Sequence, residues 1–335
     1  KVTIFCCSLQ FSSAFIVTSE VSDLMIKVQM AALPKKLDKT NIKQFLSMFD
    51  TVLTDCDGVI WSGDEVIGNA NIALNKLRDV GKNIFYVTNN STKTRSEYII
   101  KCKNLGFEAK EEEIVGTSYV LAQYLKQRNF NKKVYVVGST GITRELDNVG
   151  ITHTEIGPDP SPEKVFSLQE TMKLDPEIGC VAVGFDGDIS FTKIMKAASY
   201  LLNPECLFLA TNTDERFPIR NSNLVFPGTG TMVKAVETAA ERKPVVMGKP
   251  SAEMFEVIRK TNNLDPSRTL MIGDRCNTDI LFGKNCGLNT LVVLTGVTEY
   301  EHLEKWAKGS DPEQHKLLAD YFLPQLGDLV DLLED

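Results

Sequence analysis

Histidine is scarce in this chain of 335 residues, and its cysteines follow no C-x-x-C pattern. The three histidines, His153, His302 and His315, do not cluster, so the sequence offers no pattern for a histidine metal site or a Ser-His-Asp triad. The eight cysteines are scattered without a C-x-x-C pair, which argues against a zinc site or a disulfide framework. We interpret them as reduced thiols of a cytoplasmic protein.

The sequence also lacks a run of basic residues. Lys and Arg number 37 against 44 Asp and Glu, for a net charge of −7, so we expect neither nucleic acid nor an anionic membrane surface as a partner. One apolar stretch, residues 2–17, is interrupted by serines and is too short and too polar to predict a membrane span. The hydrophobic share of 43% predicts a globular chain with two folding units.

The amino-terminal stretch does not look like part of a folded unit. It begins without methionine, and its apolar segment lacks the charged residues that precede the core of a secretory signal. The later segment Met30-Ala31-Ala32-Leu33-Pro34 resembles an ordinary translation start. We therefore predict residues 1–40 to be a disordered or non-native leader, with translation starting at Met30.

A run of β-branched and apolar residues from Thr51 ends in two carboxylates, Asp55 and Asp57, followed by Gly58. The pattern predicts a buried strand and a sharp turn. Ligands of open α/β sheets bind beyond the carboxyl ends of the strands, which places both carboxylates at the mouth of a site. Because they repel each other, the pair favours a divalent cation, or one protonated member that serves as a general acid. An ordinary Asp-Gly turn is the alternative for these residues alone.

Helix and strand patterns alternate after this stretch. The spacing of Ile72, Leu74, Leu77 and Val80 predicts a helix that buries these four side chains on one face. A second buried strand begins at Asn83, and another helix follows it. The order strand, helix, strand, helix predicts an α/β fold with a parallel sheet, and a second α/β unit follows further along the chain.

Polar side chains follow the second strand, in the segment Thr88-Asn89-Asn90-Ser91-Thr92. Hydroxyl, amide and backbone N–H groups at the start of a helix suit the oxygens of a phosphate group. Ser, Thr and Asn are also the usual helix N-caps, which is the alternative for this stretch.

Two later strands also end in charged residues. Lys249 follows one of them, where a lysine can pair with phosphate, although most lysines are simply solvated. Asp274 follows the other, and Asp279 stands five residues later at the opening of a helix. Asp274 would complete the cation site, and Asp279 would hold Asp274 or Lys249 in place. An Asp-capped helix start is the alternative.

In this order, the four stretches resemble the motifs of the haloacid dehalogenase superfamily. The segments DCDGVIW, VTNNST, GKPS and GDRCNTDILFG, with PGTG and LTGV, are similar to those of the eukaryotic 4-nitrophenylphosphatase group, which contains phosphoglycolate (glycerol-3-phosphate) phosphatase and pyridoxal phosphate phosphatase. The resemblance runs from about residue 49 to the end of the chain. It implies a Rossmann-like parallel-sheet core, residues 41–128 and 244–335, with a large α/β cap inserted at 129–243.

The resemblance further implies a Mg²⁺-dependent phosphomonoester hydrolase. Asp55 would be the nucleophile that forms an aspartyl-phosphate, and Asp57 the general acid that protonates the leaving alcohol. Mg²⁺ would be held by Asp55, the backbone carbonyl of Asp57, and Asp274. The residues that would bind the transferring phosphoryl group are Thr88, Asn89, Asn90 and Lys249.

In this group of enzymes the cap contacts the leaving group of the substrate. Residues 184–191 resemble the substrate-reading loop, with Asp188 where the relatives carry histidine. The segment that contains Asn212 and Arg216 looks more like the phosphoglycolate phosphatase branch than the pyridoxal one. Asp188 would repel a carboxylated substrate unless Arg216 or Arg220 lay between them.

The substrate expected from the resemblance is a small phosphorylated metabolite, namely phosphoglycolate or glycerol-3-phosphate, with 4-nitrophenyl phosphate as an artificial substrate. Pyridoxal phosphate or a prenyl phosphate is the alternative within the phosphatases. A catalytically silent scaffold is the alternative outside them, although no motif residue needed for the chemistry is missing. The caps of such relatives commonly mediate homodimers, so the resemblance also implies a homodimer through residues 129–243.

Overall fold

The computed structural model describes residues 31–217 and 223–333. Most of the predicted leader, the proposed start at Met30, and Arg220 lie outside the described residues. The strands, in chain order, are β1 (Lys35–Lys36), β2 (Thr51–Thr54), β3 (Trp61–Ser62), β4 (Glu65–Val66), β5 (Asn83–Thr88), β6 (Ile114–Gly116), β7 (Lys133–Val137), β8 (Ile178–Val183), β9 (Leu207–Ala210), β10 (Val245–Val246), β11 (Thr269–Gly273), β12 (Asn289–Val293) and β13 (Tyr321–Leu323).

Helices connect most of these strands. They are α1 (Ile42–Ser47), α2 (Ala70–Asp79), α3 (Arg95–Asn104), α4 (Thr117–Gln127), α5 (Thr140–Asp147), α6 (Leu168–Thr171), α7 (Phe191–Tyr200), α8 (Thr229–Ala240), α9 (Ala252–Asn262), α10 (Leu281–Asn285), α11 (Tyr300–Lys308), α12 (Pro312–His315) and α13 (Leu329–Leu332). Among the described helices, none has the length and apolar character that crossing a bilayer requires.

The first sheet contains seven parallel strands in the order β1-β13-β12-β11-β2-β5-β6. Its interior strand β2 is buried throughout, with Val52 in one apolar cluster and Leu53 in another, because successive side chains of a strand point to opposite faces. This two-sided burial is typical of parallel sheets covered by helices. It confirms the predicted α/β fold.

The register of the first sheet brings three strand ends to one edge. Thr54 of β2 is level with Tyr86 of β5 on one side and with Ile272 of β11 on the other. The strands are parallel, so the residues that follow β2, β5 and β11 emerge side by side. These residues include Asp55 and Asp274.

The second sheet has four parallel strands in the order β10-β9-β8-β7. We call residues 133–246, which carry it, the cap, and the remaining described residues the core. The cap had been predicted to end at residue 243, but Val245 and Val246 pair with β9, so this boundary was placed too early. One apolar cluster contains Leu53 of the core sheet together with Val136 and Ala182 of the cap sheet. The core sheet and the cap sheet therefore share part of one hydrophobic core.

Two other sequence predictions need correction. The predicted leader extended to residue 40, but Lys35 and Lys36 form β1 and pair with β13 at the edge of the core sheet. Helix α2 was expected to bury Ile72 and Val80 with Leu74 and Leu77. Ile72 and Val80 are 45% and 54% exposed. The buried stripe of the helix is completed by two alanines at i, i+3 spacing, which an apolar pattern of larger side chains does not reveal.

Candidate active site

Three carboxylates meet at the edge of the core sheet. Asp55 follows β2, Asp274 follows β11, and Asp279 lies in the helical turn after β11. Each contributes an oxygen, and these oxygens lie within 4.8 Å of one another. Burial, and then the nearby charge of Asp279, raise the pKa of Asp274 to about 7. A cluster of this kind favours a bound cation, because carboxylates removed from water repel one another.

Lys249 supplies a positive charge to this cluster. Its Nζ lies 2.6 Å from Asp55 Oδ1 and 2.9 Å from Asp279 Oδ1, and it donates a hydrogen bond of 3.0 Å to the carbonyl of Val87. The lysine side chain is only 2% exposed. Burial by itself would lower its pKa, but Asp279 and Asp55 more than offset this and raise it, so Lys249 stays charged. Lys249 offsets only part of the negative charge, because the cluster contains three carboxylates and one lysine.

The side chain of Asn89 holds the backbone of Lys249. Asn89 Oδ1 accepts from the Lys249 backbone N–H at 2.9 Å, and Asn89 Nδ2 donates to the Lys249 carbonyl at 3.1 Å. The same Nδ2 lies 3.2 Å from each carboxylate oxygen of Asp214 in the cap. The side-chain amide of Asn89 thus positions Lys249, and Asn89 also lines the cavity, so its predicted contact with the phosphoryl group stays a prediction.

The neighbouring loop lines the site without capping the helix that follows. Thr88 is buried, and its Oγ1 accepts from the backbone N–H of Asn90 at 3.1 Å. Asn90 Oδ1 in turn accepts from the N–H and hydroxyl of Thr92, both at 2.8 Å. The N-cap of α3 is Thr94, which forms a capping box with Glu97. The helix-cap interpretation therefore applies to Thr94, and residues 88–92 face the cavity.

Asp57 stands apart from the three clustered carboxylates. Its Oδ1 accepts a hydrogen bond of 2.9 Å from the indole N–H of Trp61, in the short hairpin formed by β3 and β4. Asp57 is half-buried and lines the same cavity as Asp55. The metal ligands predicted from sequence were Asp55, Asp57 and Asp274, whereas the side chains brought together are those of Asp55, Asp274 and Asp279. The carbonyl of Asp57 remains a predicted ligand.

Two glycines shape the surroundings of Asp274. Gly58 has a φ of +93°, and an added Cβ would lie 2.8 Å from Asp274 Oδ2. At Gly296 an added Cβ would overlap the same oxygen. Next to Gly296, the backbone N–H of Val297 donates to Asp274 Oδ2 at 2.9 Å. The loop that follows β12 thus fixes the carboxylate by close approach of its backbone.

The substitution Gly296→Ala is expected to reduce the apparent affinity for Mg²⁺ by about 10- to 100-fold, since the new methyl group must displace Asp274. Magnesium titrations followed by thermal unfolding, and separately by activity, measure this change. Gly187→Ala is the matched control, because a Cβ there meets no atom within 4 Å and the backbone is not in the left-handed region. Equal Mg²⁺ affinities in Gly296→Ala and the wild type would contradict the placement of Asp274 at the cation site.

A cavity of about 490 Å³ opens above these residues, between core and cap. The cap residues on its wall include Phe185, Asn212, Asp214, Arg216 and Phe217. From the core, Arg275 lines the cavity, and its guanidinium lies 3.6 Å from Glu215 of the cap. The cavity wall therefore presents aromatic, cationic and anionic groups to a molecule bound next to the carboxylates.

The three predicted cap residues differ in their positions. Asp188 is exposed and is not among the cavity-lining residues; its backbone N–H donates to Asp186. Phe185, from the same loop, faces the cavity instead. Asn212 lines the cavity, is buried, and donates to the Asn89 carbonyl at 2.7 Å. Arg216 lines the cavity and has no ion-pair partner among the described residues.

Sequence reasoning did not identify Trp61, Asp214 or Arg275 as site residues. Trp61 and Arg275 lie inside the quoted motifs, but no sequence pattern shows that their side chains contact Asp57 and Glu215. Asp214 is separated from Asn89 by 125 positions in the chain. A contact at that separation cannot be deduced from local spacing.

Comparisons with known proteins agree with this fold. Residues 52–152 match a model described as haloacid dehalogenase-like hydrolase, and residues 246–324 match a second model of the same class. The chain belongs to the haloacid dehalogenase-like hydrolases.

Two relatives span nearly the whole chain. A glycerol-3-phosphate phosphatase of Gallus gallus is 40% identical over 304 residues, covering 90% of this chain and 97% of the relative. Phosphoglycolate phosphatase 2 of Arabidopsis thaliana is 39% identical over 306 residues, with coverages of 90% and 99%. A solved glycerol phosphate phosphatase from Mycobacterium tuberculosis, in complex with magnesium, superposes with a TM-score of 0.68 at 25% identity, covering 86% of this chain and 78% of that one.

Proposed function

We propose that this protein is a phosphomonoesterase that acts through an aspartyl-phosphate on small phosphorylated metabolites. One observation carries the proposal. Asp55 lies against the buried, charged Lys249, within the same group of oxygens as Asp274, at the floor of a cavity that Asp57 also lines. Phosphoryl transfer to a carboxylate requires a nucleophile, an acid, a positive charge and a site for a metal ion. Here Asp55, Asp57, Lys249 and the carboxylate cluster can supply them at one point.

In the proposed reaction, a carboxylate oxygen of Asp55 forms a bond to phosphorus while the bond from phosphorus to the ester oxygen breaks. The proton of Asp57 passes to that ester oxygen, which leaves as an alcohol. In the second half, water attacks phosphorus, its proton returns to Asp57, and the bond to Asp55 breaks to release inorganic phosphate. Lys249 stabilises the negative charge that shifts between the oxygens.

The residues present fit a magnesium ion. Three carboxylates face one lysine, and carboxylate oxygens are the ligands that Mg²⁺ takes together with a substrate phosphate. Asp55, Asp274 and the carbonyl of Asp57 would hold it, with Asp279 pairing Lys249 beside them. When bound, the ion would neutralise the repulsion between the carboxylates and the phosphate. The magnesium in a structurally similar glycerol phosphate phosphatase supports this assignment.

For the substrate we propose phosphoglycolate or glycerol-3-phosphate. The names of the two relatives support this choice, and Arg216 and Arg275 on the cavity wall can pair with a small anionic or hydroxylated group. Phe185 and Phe217, whose ring centroids are 5.0 Å apart, favour a second candidate with an apolar or aromatic leaving group, such as pyridoxal phosphate or a prenyl phosphate. A silent scaffold would have no need of a buried lysine between two carboxylates.

The proposed setting is a cytoplasmic homodimer formed through the cap, with neither nucleic acid nor membrane as a partner. The acidic net charge of −7 supports the last point. Size-exclusion chromatography with light scattering measures the mass directly, and a monomer at micromolar concentration would contradict the dimer.

The experiment that tests the function is phosphate release from a panel of esters, with and without Mg²⁺. The panel comprises phosphoglycolate, glycerol-3-phosphate, pyridoxal phosphate, a prenyl phosphate and 4-nitrophenyl phosphate. We expect Mg²⁺-dependent release, fastest with one of the first two esters. Absence of release from every ester with Mg²⁺ present would reject the phosphatase and favour the scaffold.

A further inference from the structure

The indole N–H of Trp61 is hydrogen-bonded to the candidate acid of the site. Trp61 is completely buried at the start of the β3–β4 hairpin, and its N–H finds its acceptor on the side chain of Asp57. A second bond runs from the Gly58 backbone N–H to the Trp61 carbonyl at 2.8 Å. Two hydrogen bonds thus close the loop between residues 57 and 61, and one of them ends on the carboxyl group proposed as the acid.

The indole N–H can only donate a hydrogen bond. It therefore requires an unprotonated oxygen, and Oδ1 of Asp57 meets this requirement whether the carboxyl group is ionised or neutral. A proton carried by Asp57 must then reside on Oδ2. The bond to Trp61 can persist through both halves of the proposed reaction, and it prevents the carboxyl group from rotating.

The Trp61 ring is itself fixed from several sides. Tyr98 stacks on it at a centroid distance of 6.2 Å, and Phe107 meets it edge-on at 5.7 Å. The ammonium of Lys101 lies 4.4 Å from the centroid of the ring. These contacts place the indole N–H at a defined point, so it can orient its acceptor as a rigid group does.

We propose that Trp61 is a positioning residue for proton transfer by Asp57. The inference rests on the proposed phosphatase function, since it concerns how the ester oxygen receives its proton. The leaving group of an aliphatic ester such as glycerol-3-phosphate is a strongly basic alkoxide unless the ester oxygen is protonated as it departs. The leaving group of 4-nitrophenyl phosphate is a stable anion near neutral pH and needs little help. Loss of the indole N–H therefore affects the two kinds of ester unequally.

The test is Trp61→Phe, which keeps an aromatic ring and removes the donor. We expect kcat/KM for glycerol-3-phosphate and phosphoglycolate to fall about 10- to 100-fold further than kcat/KM for 4-nitrophenyl phosphate, which is a partial loss of the roughly 10²- to 10⁴-fold that general acid catalysis contributes. kcat/KM is the informative constant because it reports the step in which the leaving group departs. Placing benzothienylalanine at position 61 is a second variant, which keeps the two-ring shape and also lacks the N–H.

Phe45→Leu is the matched control, because it removes a buried ring from the same apolar cluster, where Phe45 packs on Phe49 and Tyr321 rather than on Trp61. We expect it to change kcat/KM for all esters by the same factor. In an Asp57→Asn background, Trp61→Phe should add little further selective loss, since the group that it positions is gone. Equal losses on aliphatic and nitrophenyl esters, or no loss in either position-61 variant, would overturn the proposal. A wild-type protein that cleaves no ester would instead reject the proposed function.

Discussion

Replacing Asp55 with asparagine is expected to reduce kcat by at least about 10⁴-fold on every ester that the wild type cleaves. Asparagine has nearly the shape of aspartate, but its amide cannot form the acyl-phosphate bond. The loss should therefore be independent of the leaving group, unlike the loss expected for Trp61→Phe. Steady-state phosphate release measures it, and acid quenching with radiolabelled ester tests whether label remains on the protein.

Asp50→Asn provides a matched control at the opposite end of the same strand. Asp50 immediately precedes β2, is exposed, and pairs with Arg268 at 2.6 Å. Loss of a solvent-exposed ion pair has little effect on stability, and kcat should be unchanged. Wild-type turnover by Asp55→Asn would rule out Asp55 as the nucleophile.

The substitution Lys249→Met should impair both stability and activity. It leaves Asp55 and Asp279 without their buried cation, and breaking a buried pair in this way typically costs about 3–5 kcal/mol. Loss of a charge that stabilises the transferring phosphoryl group should lower kcat by about 10²- to 10³-fold. Denaturant unfolding in metal-free buffer measures the first effect, and turnover at saturating Mg²⁺ the second.

A second substitution separates the lost charge from the lost packing. Adding Asp279→Asn to Lys249→Met removes one of the unpaired carboxylates, so the double variant should be more stable than Lys249→Met by about 1 kcal/mol or more. Lys316→Met is the control, since Lys316 pairs with Glu313 at an exposed position. If Lys249→Met were as stable as the wild type, the buried ion pairs would not contribute to the fold.

The sequence was sufficient to locate the main groups of the site because of a property of parallel sheets. Asp55 and Asp274 each follow a buried strand, Thr88 is the last residue of another, and strand ends of a parallel sheet share one edge. The local sequence pattern therefore predicted that these residues lie close together, although the order of the strands in the sheet was not known. Lys249 follows the short strand β10 of the second sheet, so the shared edge of the first sheet does not explain its position.

Contacts between distant segments were beyond that reasoning. The hydrogen bonds of Asn89 to Lys249 and Asp214 depend on how the cap rests on the core, and amide groups suited to phosphate are equally suited to backbone. Asp188 was expected in the cavity because its position in the motif is occupied by histidine in relatives. In this chain the loop directs Phe185 there instead. Loop conformation, which residue types specify only weakly, decided the outcome.

Asn89 has a consequence for the exchange of caps between related enzymes. Its carbonyl accepts from Asn212 and its amide contacts Asp214, so two cap residues help to hold the residue that fixes the Lys249 backbone. A chimera that takes its cap from another enzyme would inherit that enzyme's substrate preference, but it would keep a correctly placed lysine only if asparagine and aspartate were retained at these two positions. The cap of this protein is therefore not fully interchangeable, because part of the framework that positions Lys249 extends into it.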